Sequence, residues 1–182
     1  GLIDHFNKIA DSVNIPCILY NVPGRTALNM EAETTHKLSF HENIIGIKEA
    51  SSDLSQITEI INNSSNSDFK VWSGNDDETF SIMALGGFGV VSVASNIIGN
   101  QIKTMMGAVL EGNIESAANH HKELLPLFQA LFWITNPILI KRALNISGYS
   151  VGGLRLPMID SKEFDLEFSE LLSKYDIDIT KT

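Results

Sequence analysis

Four short apolar runs, each ending in polar residues and each leading into a stretch with helical spacing, constrain this chain more than any other feature. The runs lie at 16–22, 44–48, 69–73 and 90–93. Their length and their β-branched and aromatic content read as buried strands. Pro16 sits at the entrance of the first, where no ladder donor is needed. Leu2, Ile3, Phe6, Ile9, Ala10 and Val13 recur at helical spacing, which predicts a helix over 2–13 with a stop at Asn14. A helix over 31–40 started by Asn29 precedes the second run. Ser51, Ser52 and Asp53 offer N-caps for another carrying Leu54, Ile57, Ile60 and Ile61. A loop is expected over 62–68. Phe80, Ile82, Met83 and Leu85 mark a helix after the third run. From Ile97 the pattern is helical over 97–110, 114–132, 137–144 and 163–175, with a frayed tail at 176–182. Strand followed by helix, repeated, calls for a parallel sheet with helices outside. Four such units suit half of an eight-unit barrel or a small open sheet.

The 182 residues suffice for a sizeable core, and 43% hydrophobic with 19% charged residues is a globular composition. A formal net charge of -9 argues against nucleic acid or an anionic membrane as partner. No apolar run is long enough to span a bilayer. Cys17 is the only cysteine, so no internal disulfide can form, and a cytoplasmic, reducing setting is expected. Cys17 itself reads as a small core residue. The absence of an initiator methionine reads as a chain cut from something longer. The five histidines fall mostly on predicted helix surfaces, and adjacent His120 and His121 point to different faces, so no metal site is expected. Gly86, Gly87 and Gly89 precede a strand rather than follow one, which removes a phosphate-loop reading and leaves a tight turn.

Ligands of parallel α/β sheets bind at the carboxyl ends of the strands. Polar and special residues crowd there: Tyr20, Asn21, Gly24, Arg25 and Thr26 after the first run, Lys48, Glu49 and Ser51 after the second, Ser73 to Asp77 after the third, and Ser92, Ser95 and Asn96 after the fourth. Lys48 closes the apolar run Ile44-Ile45-Gly46-Ile47. Desolvation favours the neutral amine of a lysine, the form that attacks a carbonyl carbon. Taken alone, Lys48 reads first as a strand-end lysine that reaches solvent or pairs with a carboxylate such as Glu49. Tyr20 alone reads as an amphipathic core aromatic, and Arg25 as a surface charge. A tyrosine, an arginine and an apolar-run lysine at one end of the sheet make the chemical reading a real competitor.

Six motifs in order carry a resemblance: Tyr20-Asn21-Val22-Pro23-Gly24-Arg25-Thr26; Gly46-Ile47-Lys48-Glu49-Ala50; Ser73-Gly74-Asn75-Asp76; Gly86-Gly87-Phe88-Gly89-Val90-Val91-Ser92-Val93; Asn136-Pro137 with Lys141; and Gly153-Leu154-Arg155-Leu156-Pro157. Essentially the whole chain resembles the dihydrodipicolinate synthase family, also called 4-hydroxy-tetrahydrodipicolinate synthase. That family lies within the class I pyruvate-aldolase superfamily that includes N-acetylneuraminate lyase.

The resemblance implies the carboxyl half of a (β/α)8 barrel, strands five to eight, over residues 1–112. The last barrel-flanking helix and a C-terminal helical region would then occupy 113–182. It also implies a missing amino-terminal half with a Thr-Thr motif and a tyrosine given to a neighbouring subunit, so that the chain alone would be a weak catalyst. It implies a lyase condensing pyruvate with aspartate semialdehyde in lysine and diaminopimelate biosynthesis. No cofactor is implied: Lys48 forms a Schiff base with pyruvate, and Tyr20 relays protons. Arg25 holds the carboxylate of the aldehyde substrate, and Gly74 and Val91 line the pocket. A homo-oligomer, the family's tetramer of dimers, goes with it. Asn75 stands where many members carry an acidic residue. Two alternatives remain: another pyruvate aldolase such as N-acetylneuraminate lyase, against which Arg25 speaks, and a non-catalytic half-barrel.

Overall fold

The structure is a computed structural model that describes residues 1–64, 68–160 and 162–179. Residues 65–67 of the expected loop and 180–182 of the expected tail lie outside the described residues. The chain divides into two compact units, Gly1–Val91 and Ser92–Thr182.

The first unit is a parallel sheet of four strands in the order β1-β2-β3-β4, namely β1 (Cys17–Asn21), β2 (Ile44–Glu49), β3 (Lys70–Ser73) and β4 (Gly89–Val90). Helices α1 (Leu2–Asp11), α3 (Ala32–Leu38), α4 (Leu54–Asn63) and α5 (Thr79–Ala84) alternate with them, and a single turn, α2 (Pro23–Thr26), follows β1. The Pro23-Gly24 pair that reads as a break therefore opens a short helix, with proline at its first position, where a missing N–H costs nothing. Asp53 caps α4 by accepting from Ser55 N and Gln56 N at 3.0 Å each. Asn29 does not cap α3, whose N-cap is Glu31.

One face of the sheet is dry. Leu19, Ile47 and Val71, central on three successive strands, pack with Ala10 and Phe6 of α1, Leu38 of α3, Ile57 and Ile60 of α4, and Ile82 of α5. Burial of that face supplies the main drive for the unit, roughly 25 cal/mol per Å² of apolar surface. Cys17 is partly buried against this core. The opposite face carries Ile18 (47% exposed), Tyr20, Lys48, Lys70 and Trp72 and has no helices of the unit's core upon it.

The expected carboxyl half of a (β/α)8 barrel, strands five to eight, is corrected. The architecture is an open four-stranded parallel sheet with helices, the small open sheet that the same pattern allowed. Among the described residues β1 pairs only with β2, and β4 only with β3. Strand–helix alternation dictates parallel pairing and crossover helices. It does not dictate closure, which needs strand number, tilt and stagger to agree around a ring. β4 is also two residues rather than the expected four, because its ladder to β3 covers only Trp72↔Gly89 and Ser73↔Val90.

The second unit is helical: α6 (Ser95–Leu110), α7 (Ile114–Ala130), α8 (Ile138–Ile146) and α9 (Asp165–Leu172). Met105, Leu127, Phe128, Leu139, Ala143 and Phe168 form its interior. Arg142 of α8 pairs with Asp160 at 2.9 Å and with Asp165 at the start of α9. α6 kinks at Ile98. The N–H groups just after the kink, Gly99 and Asn100, donate to the Asp178 carboxylate at 3.0 and 2.6 Å. Tyr149 donates its hydroxyl to Ile179 O at 2.5 Å. The described part of the tail, 176–179, is therefore tied down rather than frayed: a helix start lacking its own cap recruits it.

Candidate active site

Register places the site. β1 and β2 pair so that Tyr20 faces Lys48 and Asn21 faces Glu49. β2 and β3 pair so that Lys48 faces Trp72 and Glu49 faces Ser73. Residues paired across a sheet project to one face, and the next rung projects to the other. Two adjacent rungs at the carboxyl ends of the strands thus carry two different chemistries.

On the open face, the Lys48 amino group lies 4.4 Å from the centroid of the Tyr20 ring. Lys48 is half-buried and Tyr20 is 45% exposed. The pairing of Lys48 with Glu49 does not occur, because alternation sends Glu49 to the dry face. No ion pair or hydrogen bond engages Lys48 Nζ among the described residues, so its amine is available to a ligand.

Glycines shape the floor around it. A Cβ on Gly46 would stand 2.2 Å from Lys70 O and 2.4 Å from Trp72 Cζ3, so only glycine lets the Trp72 indole lie across β2. Trp72 in turn meets Phe88 edge-on, with ring centroids 5.3 Å apart. A Cβ on Gly74 would stand 2.7 Å from Ala50 Cβ, 2.9 Å from Glu49 O and 3.1 Å from Lys48 Cε. The loop after β3 therefore rests against the lysine stem itself.

The other two expected residues are near in sequence to this rung but not joined to it by a recorded contact. Arg25 is exposed on α2, just beyond the end of β1, and its guanidinium makes no ion pair or hydrogen bond among the described residues. Val91 follows β4, donates its N–H to Ser73 O at 2.9 Å and is 43% exposed. Asn75, after Gly74, donates to Ser52 Oγ at 3.2 Å and to Glu78 Oε2 at 3.0 Å.

On the dry face, Glu49 is 0% exposed. Its Oε1 accepts from Asn21 Nδ2 at 2.9 Å, Ala50 N at 3.1 Å and Ser51 N at 3.2 Å, and its Oε2 from Gln56 Nε2 at 3.2 Å. Asn29 extends the network: it donates to Gln56 Oε1 at 2.7 Å and accepts from Asn21 Nδ2 at 2.9 Å. Asn21 Oδ1 accepts from Met30 N at 2.9 Å. Burial pushes the Glu49 carboxyl above its ordinary 4.5, and the donors from Gln56, Asn21 and Ser51 pull it partly back. Sequence reasoning placed Asn21 and Glu49 among the polar strand-end residues but missed this buried constellation. The signal was present: strand alternation sets Asn21 on the face of Leu19, and Glu49 on the face of Ile47.

The chain is similar to known proteins along nearly its whole length. A family model described as the dihydrodipicolinate synthetase family matches residues 1–174. A 4-hydroxy-tetrahydrodipicolinate synthase of Dehalococcoides mccartyi (strain CBDB1) is 51% identical over 180 residues, 98% of this chain and 60% of that protein. The crystal structure of dihydrodipicolinate synthase from Aquifex aeolicus superposes with a TM-score of 0.93 at 38% identity, covering 100% of this chain and 62% of that one. The chloride-inhibited dihydrodipicolinate synthase from Acinetobacter baumannii, complexed with pyruvate, gives a TM-score of 0.90 at 32% identity, over 95% of this chain and 60% of that one. The chain thus spans about 60% of the length of the relatives it matches. That share agrees with the open sheet in setting aside the carboxyl half of a barrel.

Proposed function

Since the chain belongs to the dihydrodipicolinate synthetase family, we propose that it forms a Schiff base between Lys48 and pyruvate and condenses that pyruvate with aspartate semialdehyde. The observation that carries this reading is the Lys48 amine, 4.4 Å from the centroid of the Tyr20 ring and without a hydrogen bond or ion pair among the described residues, at the carboxyl end of a core strand. Lys48 Nζ attacks the ketone carbon of pyruvate, and loss of water leaves a protonated imine. The imine is an electron sink, so a methyl proton leaves and an enamine forms. The enamine carbon bonds to the aldehyde carbon of aspartate semialdehyde. The amine of that substrate then attacks the imine carbon and expels Lys48, closing the ring of 4-hydroxy-tetrahydrodipicolinate.

Each step moves a proton near the lysine, and we take the Tyr20 hydroxyl to relay it, a reading supported by the 4.4 Å approach of the lysine amine to the Tyr20 ring. Arg25, exposed and without a partner among the described residues, suits the carboxylate of the incoming aldehyde, which its planar fork can grip at two oxygens. Gly74 and Val91 line the pocket, Gly74 by letting its loop touch the lysine stem. The imine supplies the electron sink that a cofactor would otherwise provide. The place of the reaction is lysine and diaminopimelate biosynthesis. With Cys17 its single cysteine, the chain suits the reducing cytoplasm, and we take it to work as a homo-oligomer.

Borohydride reduction in the presence of pyruvate tests the reading. One reduced pyruvyl group should appear on Lys48, located by peptide mass, and Lys48→Ala should carry none. Labelling that persists in Lys48→Ala would overturn the assignment.

A further inference from the structure

Tyr20 and Asn21 are neighbours on β1, Lys48 and Glu49 are neighbours on β2, and the two pairs occupy consecutive rungs. The rungs are held very differently. Lys48 has a ring contact and, among the described residues, no hydrogen bond through its amine. The Glu49 carboxylate takes donors from three separate places: Asn21 on β1, the Ala50 and Ser51 N–H groups of the turn after β2, and Gln56 on α4. Backbone bonds tie the same rung on both sides, Ala50 N to Asn21 O at 2.9 Å and Gly74 N to Glu49 O at 2.6 Å.

A buried carboxylate is a costly way to fill space, and apolar groups of similar volume pack as well without the desolvation. What a carboxylate adds is direction. Four N–H groups donate to it, and the Ser51 side chain also bonds it, so both oxygens serve as acceptors. We propose that Glu49 is a positioning residue for Lys48: its carboxylate locks the carboxyl ends of β1 and β2 in the register that sets the Lys48 amine beside the Tyr20 ring. The inference rests on the reading of Lys48 as the imine-forming lysine. Lys48 and Glu49 share one rigid peptide unit, so a turn of Glu49 toward or away from α4 swings the lysine stem on the other face.

Replacement by glutamine keeps the shape and removes one acceptor. If the new amide nitrogen points to α4, it meets Gln56 Nε2. Gln56 can turn its own oxygen inward only by releasing Asn29 Nδ2, now held at 2.7 Å. If the nitrogen points to β1, it meets three N–H donors. No rotation satisfies the network, and the rung must shift.

The test is the rate of borohydride trapping on the purified chain across a pyruvate series, with melting followed in parallel. In Glu49→Gln the limiting trapping rate should fall about ten- to a hundredfold, the loss expected for a nucleophile displaced by an ångström or so. The half-saturating pyruvate concentration and the final labelled fraction should stay near those of the parent. A role confined to holding the fold would lower the melting temperature and the labelled fraction and leave the limiting rate alone, which would overturn the proposal. Gln56→Met covers the case in which Glu49→Gln does not fold. It removes one donor to Glu49 Oε2 without touching Lys48 or Tyr20, and it should lower the limiting rate in the same way. An unchanged rate in that variant would also overturn the proposal. A parent chain that does not label on Lys48 would overturn the imine reading, and this inference with it. A parent that labels on Lys48 while the variants match its rate would overturn this inference alone.

Discussion

Glu49 should leave a signature in the acid stability of the protein. Its carboxyl is raised above the ordinary 4.5 by burial, so the folded chain holds that proton more tightly than the unfolded chain does. The group's contribution is therefore fully present below 4.5 and is lost as pH rises through the raised value in the fold. Unfolding free energy from urea titrations, compared between the parent and Glu49→Gln, should show the parent's relative stability falling across that window and level above it. A difference that does not change with pH would mean that Glu49 titrates normally. Arg25 makes a prediction of another kind. Because its guanidinium has no partner among the described residues, Arg25→Ala should leave the fold unmoved. On the proposed reading Arg25→Ala removes a charge-assisted contact to the aldehyde substrate, at about 1.5–3 kcal/mol, roughly a ten- to hundredfold loss in kcat/KM for aspartate semialdehyde. Pyruvate trapping on Lys48 should be nearly unchanged. An equal loss for both substrates would make Arg25 structural.

At the scale of elements, α4 and the loop after β3 are the parts that brace the site. Asp53 satisfies two N–H groups at the start of α4, one of them that of Gln56. Asp53→Ala should lower stability by about 0.5–2 kcal/mol, read by urea denaturation, and should slow pyruvate trapping through Gln56. The loop after β3 has no room to spare. In Gly74→Ala the added methyl would meet Ala50 Cβ at 2.7 Å and Lys48 Cε at 3.1 Å. Overpacking of this kind costs about 1–3 kcal/mol, and here part of the displacement falls on the lysine. Trapping rate and melting temperature should drop together, and a variant with parental values in both would show that the loop yields freely.

At the scale of the molecule, the first unit taken by itself has exposed apolar side chains on one sheet face, with β1 and β4 as the sheet's two edges among the described residues. Ile18 at 47% and Tyr20 at 45% exposed share the open face of β1, and Val91, just after β4, is 43% exposed. Apolar exposure next to unpaired edge strands favours association. Sedimentation of the purified chain should therefore show species heavier than a monomer, and Ile18→Asp with Val91→Asp should shift them toward the monomer. Sedimentation as a monomer at all concentrations would remove this expectation.

The amino-acid sequence by itself determined the strand–helix order, the parallel pairing that this order enforces, and the crowding of Tyr20, Arg25 and Lys48 at strand ends. All three follow from local periodicity and from the family motifs. Element boundaries at β4 and α2 were not legible, because ladder length depends on the neighbouring strand, and a Pro-Gly pair can begin a turn of helix as readily as end a strand. Only the tertiary structure decided whether the sheet closed, since closure depends on stagger summed over all strands rather than on any one of them. It likewise decided that the carboxylate beside Lys48 is not its partner. Alternation allowed Glu49 to face inward, but a buried carboxylate stands only where donors converge on it. Those donors come from residues as far apart in the chain as Asn21 and Gln56, and folding alone brings them to one point.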